Sequence, residues 1–171
     1  GYRSWLDVPS FIDYMMMQEI SRNIDAYRLS TFMYKEKDSD GGKIYGGPIW
    51  DFNLGYGNED FCDAGLPDTW AFQYNQTCGS PFPFFWGKLV NDPSFRDDFN
   101  CRWQALRSDV LNTDTILHFI DSMAIILNDA QIRNFERWDI LGTYVWPNAY
   151  VGQDYADEVQ YLKTWVSQRL S

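Results

Sequence analysis

The 171-residue sequence predicts an α+β fold dominated by helix, and three features carry that expectation. Near the start, apolar residues at Phe11, Ile12, Met15, Met16 and Ile20 recur with the period of a helix face. Two segments rich in β-forming residues, "RLSTFMYK" and "KIYGGPIW", flank the charged, glycine-ended "EKDSDGG" and read as a β-hairpin. From residue 83 onward the pattern returns to helices, with no internal repeat.

The first helix opens at Asp7-Val8-Pro9, where proline suits the first turn, and runs to about Arg22. Its Met15-Met16-Met17 run reads as gap-filling core. Asn23 to Tyr27 form a short polar loop before the hairpin. Pro48 puts the second strand at an end, an edge or a bulge. After Trp50, "DFNLGYGNEDF" is a glycine-spaced loop, and residues 59–82 continue as a long irregular segment of the kind that carries function when ordered.

"PFFWGKLVND" reads as a helix halted before Pro93. The next helix aligns Phe95, Phe99, Trp103, Leu106 and Val110 on one face. Asn112 or Thr113 caps a helix of roughly 113–134, with apolar positions at Ile116, Ile120, Met123, Ile126 and Leu127. An aromatic loop, "WDILGTYVWPN", leads to a last helix from about Tyr155 to Leu170, with Val159, Leu162, Trp165 and Val166 inward. Trp86, Trp103, Trp138 and Trp165 read as core, and Trp70 and Trp146 as loop residues open to solvent.

With 45% hydrophobic residues, the chain has enough apolar material for one packed domain over residues 1–171. A net charge of −10 repels phosphate backbones and argues against nucleic-acid partners. No run of about eighteen apolar residues exists, so no transmembrane helix is expected. The chain opens on Gly1 and closes soon after a helical pattern, as an internal piece of a longer protein would.

Cys62 and Cys78 lie in a polar, Gly/Pro-rich stretch that suits a loop-closing disulfide, which would imply an extracytoplasmic home. Such a ring of about 15 residues would contribute roughly 3 kcal/mol. Cys101, between Phe99 and Trp103, reads as a buried free thiol. Asn75-Gln76-Thr77 matches a glycosylation sequon. The single His118 cannot complete a zinc site of the usual kind.

Asp25 stands just before the hairpin and Asp51 just after it. A hairpin folds the chain back on itself, so these two carboxylates become neighbours. Two such groups suit proton transfer from a hydroxyl and the holding of a divalent cation. The same residues also have structural readings: Asp25 can brace a turn, Asp51 can accept from backbone amides, and Arg28 can pair with a nearby acid.

The order of parts is that of a protein-kinase C-lobe. There a helix leads to a catalytic-loop Asp, a metal-holding polar residue follows five positions on, and a two-strand unit precedes Asp-Phe-Gly. Here Ser30 stands five positions after Asp25, and the hairpin leads to Asp51-Phe52-Asn53.

The Asn23-Ile24-Asp25 loop, the Trp50-Asp51-Phe52-Asn53 motif and its glycine-containing sequel resemble the CotH family of bacterial spore-coat protein kinases. "DDFNCRWQALRSDVL" and "EVQYLKTWVSQRL" resemble the helical remainder of that family, so the similarity covers essentially the whole chain and is most specific from Trp50 to Asn58.

The resemblance implies the C-terminal portion of a secreted or envelope kinase-like domain, with its N-terminal lobe missing. It further implies ATP and magnesium or manganese as cofactors, and protein serine as acceptor. Asp25 would be the catalytic acid and Asp51 the metal ligand. Asn53 would be a second, uncharged metal ligand where many relatives carry Asp, and Arg28 and Ser30 would lie toward the cofactor. The competing expectation is a non-catalytic surface module whose loops 59–82 and 138–153 contact protein or glycan.

Overall fold

Helix α1 (Val8–Ser21) begins where the Asp7 carboxylate accepts the Ser10 amide at 3.1 Å, with Pro9 in the first turn. It ends at Arg22, whose left-handed φ of 48° stops the helix. The computed structural model describes residues 1–73 and 83–171. Within them α1 is the central element, because Phe11, Ile12, Met15, Met16 and Ile20 are all buried, as the periodicity predicts. Tyr14, Gln18 and Glu19 are buried as well, so the helix is enclosed on more than one face.

The hairpin exists but is short. Strands β1 (Met33–Lys35) and β2 (Ile44–Gly46) pair antiparallel with Tyr34 opposite Tyr45, and those two rings stack at 5.1 Å. The expected strands reached from 28 to 35 and from 43 to 50. The ladder stops early because Ser30 and Gly47 take left-handed φ values of 47° and 120°, and Pro48 has no N–H to donate. Strand β2 is fastened to α1. The Asp7 amide donates to Ile44 O at 2.8 Å, and the Gly46 amide donates to Ser10 Oγ at 3.0 Å. A Cβ at Gly46 would lie 3.3 Å from Phe11 Cα and Tyr14 Cβ, so the strand's close seat requires glycine.

After the hairpin come α2 (Phe84–Asn91), α3 (Pro93–Arg107), α4 (Thr113–Ile126), α5 (Asn128–Arg137) and α6 (Tyr155–Arg169). Asp92, Asn112 and Asp154 cap α3, α4 and α6 by accepting the amides of Phe95, Asp114 and Asp157. Asn112, not Thr113, is therefore the cap of α4. The single helix expected over 113–134 is two. The break at Leu127 falls just before Asn128-Asp129, residue types that favour helix starts over interiors.

The main core joins α1, α2 and α3 through Phe11, Met15, Met16, Trp86, Leu89, Phe95 and Phe99. Trp86 is its centre, with ring contacts to Phe11 at 5.5 Å, Tyr14 at 5.8 Å and Tyr27 at 5.1 Å. A second cluster is built by Trp165, Val166 and Leu170 of α6 against Tyr56, Trp103, Ile116 and Ile120.

Four expectations are corrected. Val110 lies past the end of α3 and is exposed. Ile126 and Leu127 are exposed, because α4 meets the rest of the protein through Ile116 and Ile120 alone of its expected inward set. Trp138 is exposed, since it caps the end of α5 rather than continuing a packed face. Cys101 is an exposed thiol, beside a groove that Val8, Ile12 and Asp13 of α1 also line. Trp70 and Trp146 are exposed, as their loop positions predict. Cys78 and the sequon Asn75-Gln76-Thr77 lie outside the described residues. Among the described residues no helix is long and apolar enough to cross a membrane.

Phe11→Ala, at the buried centre, is expected to lower the unfolding free energy by about 3–5 kcal/mol. Ile125→Ala, on the open face of α4, should lower it by less than about 0.5 kcal/mol. Urea denaturation followed by tryptophan fluorescence measures both, and equal effects would contradict this placement of the core.

Candidate functional site

Asp25 is set by the way α1 ends. Past the left-handed Arg22, Asn23 Oδ1 accepts the Asp25 amide at 3.1 Å and Asn23 O accepts the Ala26 amide at 3.0 Å. Asn23 is thus a turn residue. Tyr27 follows with φ 68°, and Asp25 O accepts the Leu29 amide at 3.0 Å. The result is a tight double turn that holds Asp25 half-buried.

Three bonds bring the loop after β2 against this turn. The Tyr56 amide donates to Ser21 O at 2.6 Å and the Ile24 amide to Leu54 O at 3.3 Å. Ser30 Oγ donates to Asp51 Oδ2 at 3.0 Å. The approach is close enough that a Cβ at Gly55 would lie 3.1 Å from Ser21 O. Asp25 and Asp51 are therefore brought close enough for the charge of Asp51 to act on Asp25, although 26 positions separate them in the sequence.

Burial raises the Asp25 carboxyl above its ordinary range, Arg28 opposes that with Nη2 at 3.5 Å from Oδ1, and the negative charge of Asp51 adds to it. Asp51 itself is exposed and has a left-handed φ of 64°. Of the residues singled out from the sequence, Asp25, Arg28, Ser30 and Asp51 come together. Arg28 is there as the partner of Asp25. Asn53 presents an exposed side chain two residues past Asp51, while its backbone oxygen accepts from Asn58 Nδ2 at 2.9 Å.

Neither acid lines the cavities around Met16, Trp70, Phe99 and Arg169 or around Phe72, Val90 and Phe95. Among the described residues no group of three His, Cys, Asp or Glu is placed to hold a metal ion.

Beneath the turn lies a buried polar assembly that sequence reasoning missed. Tyr27 is fully buried and its hydroxyl donates to Glu19 Oε1 at 2.5 Å. Glu19 also accepts the amides of Ala71 at 2.7 Å and Phe72 at 2.9 Å, and Arg169 Nη2 stands 3.6 Å from its Oε2. Arg169 further donates to the backbone oxygens of Glu19, Pro67 and Thr69. The available signal was an acid one turn beyond Met15 and Met16, on the buried face of α1.

Glu59 was missed too, and nothing in its sequence surroundings marks it. It is fully buried, neither carboxyl oxygen has a hydrogen-bond partner among the described residues, and burial pushes its carboxyl up to about 8.

The chain matches the family described as CotH kinase protein over residues 1–171, its whole length. No curated protein and no solved structure matches it.

Tyr27→Phe keeps the ring in its aromatic setting but removes the hydroxyl that serves Glu19. It is expected to cost about 1–3 kcal/mol in chemical denaturation. Gly57→Ala should be harsher, because the added Cβ would collide with Cδ1 and Nε1 of Trp165 at a φ of 78°. A melting temperature equal to that of the parent would contradict this close approach of the loop to α6.

Proposed function

The chain belongs to the CotH family, and from that membership we propose that it is a kinase-like domain that passes phosphate from ATP to a protein serine outside the cytoplasm. The observation that supports this most is the cross-linking of the two acid-bearing loops, through Ser21–Tyr56, Ile24–Leu54 and Ser30–Asp51. In this reading the hairpin between Asp25 and Asp51 belongs to a kinase-like C-lobe.

The residues present fit a magnesium or manganese nucleotide. Asp51 keeps one carboxylate oxygen beyond the one Ser30 occupies, and Asn53, two residues further on, has an exposed side chain with an amide oxygen to offer. Hard oxygen donors of this kind suit magnesium, which takes one or two carboxylates from protein and the remainder from phosphates and water. When bound, the metal nucleotide supplies the transferable phosphate and neutralises its charge.

Asp25 orients the acceptor hydroxyl and takes its proton, a task its raised carboxyl serves because a general base works best near operating pH. Arg28 restrains Asp25 and presents positive charge toward incoming phosphate. Ser30 fixes the orientation of Asp51. Ser30 and Asn53 contribute neutral oxygens only, so cation affinity and transfer by this chain are expected to be weak.

A second reading is favoured by the loop after α5. Trp138, Tyr144 and Trp146 are all exposed there, and Trp146 stacks on Phe61 with rings 10° apart. Such a surface suits a non-catalytic module that binds protein or glycan.

Calorimetric titration with magnesium– or manganese–ATP separates the two. Phosphotransfer predicts binding heat, a nucleotide-dependent rise in melting temperature and an affinity loss of about tenfold or more in Asp51→Ala. Absence of both heat and melting shift would overturn the kinase reading and leave the binding module. Serine phosphorylation detected by mass spectrometry should be slow, and should vanish in Asp25→Asn.

A further inference from the structure

Among the described residues, α4 and α5 are packed mainly from one side. Ile116 and Ile120 join the cluster around Trp165 of α6, and Phe135 meets Tyr155 with ring centroids 6.5 Å apart. Their other side carries large apolar side chains in water. Phe119, Ile125 and Ile126 are 62%, 77% and 70% exposed, and Leu127 and Ile132 are close to half. Ile125, Ile126 and Leu127 are consecutive at the break between the helices. Phe119 stands two turns before Ile126, and Ile132 two turns after Ile125, so helical spacing gathers the five into one patch.

Each of these side chains has on the order of 100 Å² of apolar surface to lose, or about 500 Å² together. An apolar patch of this size on a soluble protein is often functional. A standard interface buries about 800 Å² per partner, so the patch and its charged rim suffice for a weak pair.

Shape and charge favour one occupant. Beside the patch runs a groove of about 660 Å³, with Ile125, Ile126 and Asp129 on one wall and Tyr155, Val159 and Lys163 of α6 on the other. An apolar corner that adjoins a groove is self-complementary, as one surface shared by two copies must be. The chain carries −10 overall, so two copies repel over most of their surfaces. This face is the exception. Within α5 the acids Asp129 and Glu136 balance the bases Arg133 and Arg137, and Asp121 at the groove is paired with Lys163 at 2.6 Å. Asp129, Ile132, Arg133 and Glu136 share one exposed stripe. Neither Asp129 nor Arg133 enters an ion pair among the described residues. With two copies of α5 laid antiparallel, Asp129 faces Arg133 of the partner subunit, and symmetry repeats the pair. A strongly charged partner of either sign gains little on this neutral face, whereas a second copy meets its own complement.

We propose that the α4–α5 face is a self-association surface, on which a second copy of this chain docks about a two-fold axis with the α5 helices antiparallel. The surface is independent of the phosphotransfer reading, since neither Asp25 nor Asp51 belongs to it. Its modest area gives a dissociation constant on the order of tens of micromolar. Near 1 µM the chain is then about wholly monomeric, the state in which Ile125→Ala costs little.

Sedimentation equilibrium over roughly 1 to 300 µM chain, a range that brackets such a constant, tests the proposal. The average mass should climb from 20.1 kDa toward twice that value and stop there. Ile125→Asp should hold it at 20.1 kDa. Phe84→Asp, at a side chain 74% exposed on α2, should leave association unchanged. Arg133→Asp and Asp129→Arg should each weaken association about tenfold or more, and the two combined should restore it. A mass fixed at 20.1 kDa throughout overturns the proposal and leaves the face to a partner of another kind. Growth beyond the dimer, association that survives Ile125→Asp, or a swapped pair that fails to associate overturns it as well. Should circular dichroism show Ile125→Asp unfolded, the parent masses and the surface charge variants decide.

Discussion

The buried carboxylate of Glu19 organises this protein. Burial alone would keep it protonated and costly, and four groups answer it: the Tyr27 hydroxyl, the amides of Ala71 and Phe72, and the Arg169 guanidinium. They come from three different parts of the chain, so satisfying one acid locks the turn after α1, the segment near residue 70 and the last helix into one arrangement. Polar networks of this sort rigidify a core when every member is served and become a liability when one is not. The left-handed backbone of Tyr27, two residues from Asp25, persists because its ring is wedged against Trp86 and its hydroxyl is bonded to Glu19.

The two surface acids inherit their difference from that frame. Asp25 sits in the turn that Tyr27 anchors, half out of water and held by Arg28. Asp51 stands in the open and is oriented by a serine hydroxyl. The first environment strengthens a carboxyl's hold on its proton, and the second leaves a carboxyl group open to solvent. The asymmetry arises from which loop lies over the end of α1, not from any difference between the two side chains.

Much of this was legible in advance. The face of α1, the proline starts of α1 and α3, and the span of α6 are local matters of periodicity and capping, and sequence carries those directly. The return of the loop after the hairpin to the turn before it, seen in the Ser30–Asp51 bond, was legible because a hairpin brings its open ends together. What was hidden depended on tertiary context. Strand length turned on left-handed positions at Ser30 and Gly47, which no propensity announces for serine. The exposure of Ile126 and Trp138 reflects how little of α4 and α5 finds a partner, a property of packing rather than of pattern. Glu59 was invisible because its burial is imposed by Tyr161 and Trp165, about a hundred residues away.

Arg169 reaches back across 150 residues to the carbonyl of Glu19. On the ribosome, α1 and the turn behind it emerge long before that arginine does. Until the final helix leaves the exit tunnel, the Glu19 acid lacks its counter-ion and the segment near residue 70 lacks its tether, so the acid-bearing turn is assembled only when synthesis of these residues is nearly complete. Nascent chains halted before α6 would therefore lack the Arg169 bonds to the backbone of Glu19, Pro67 and Thr69, and the turn behind α1 would wait on the last helix for its anchor.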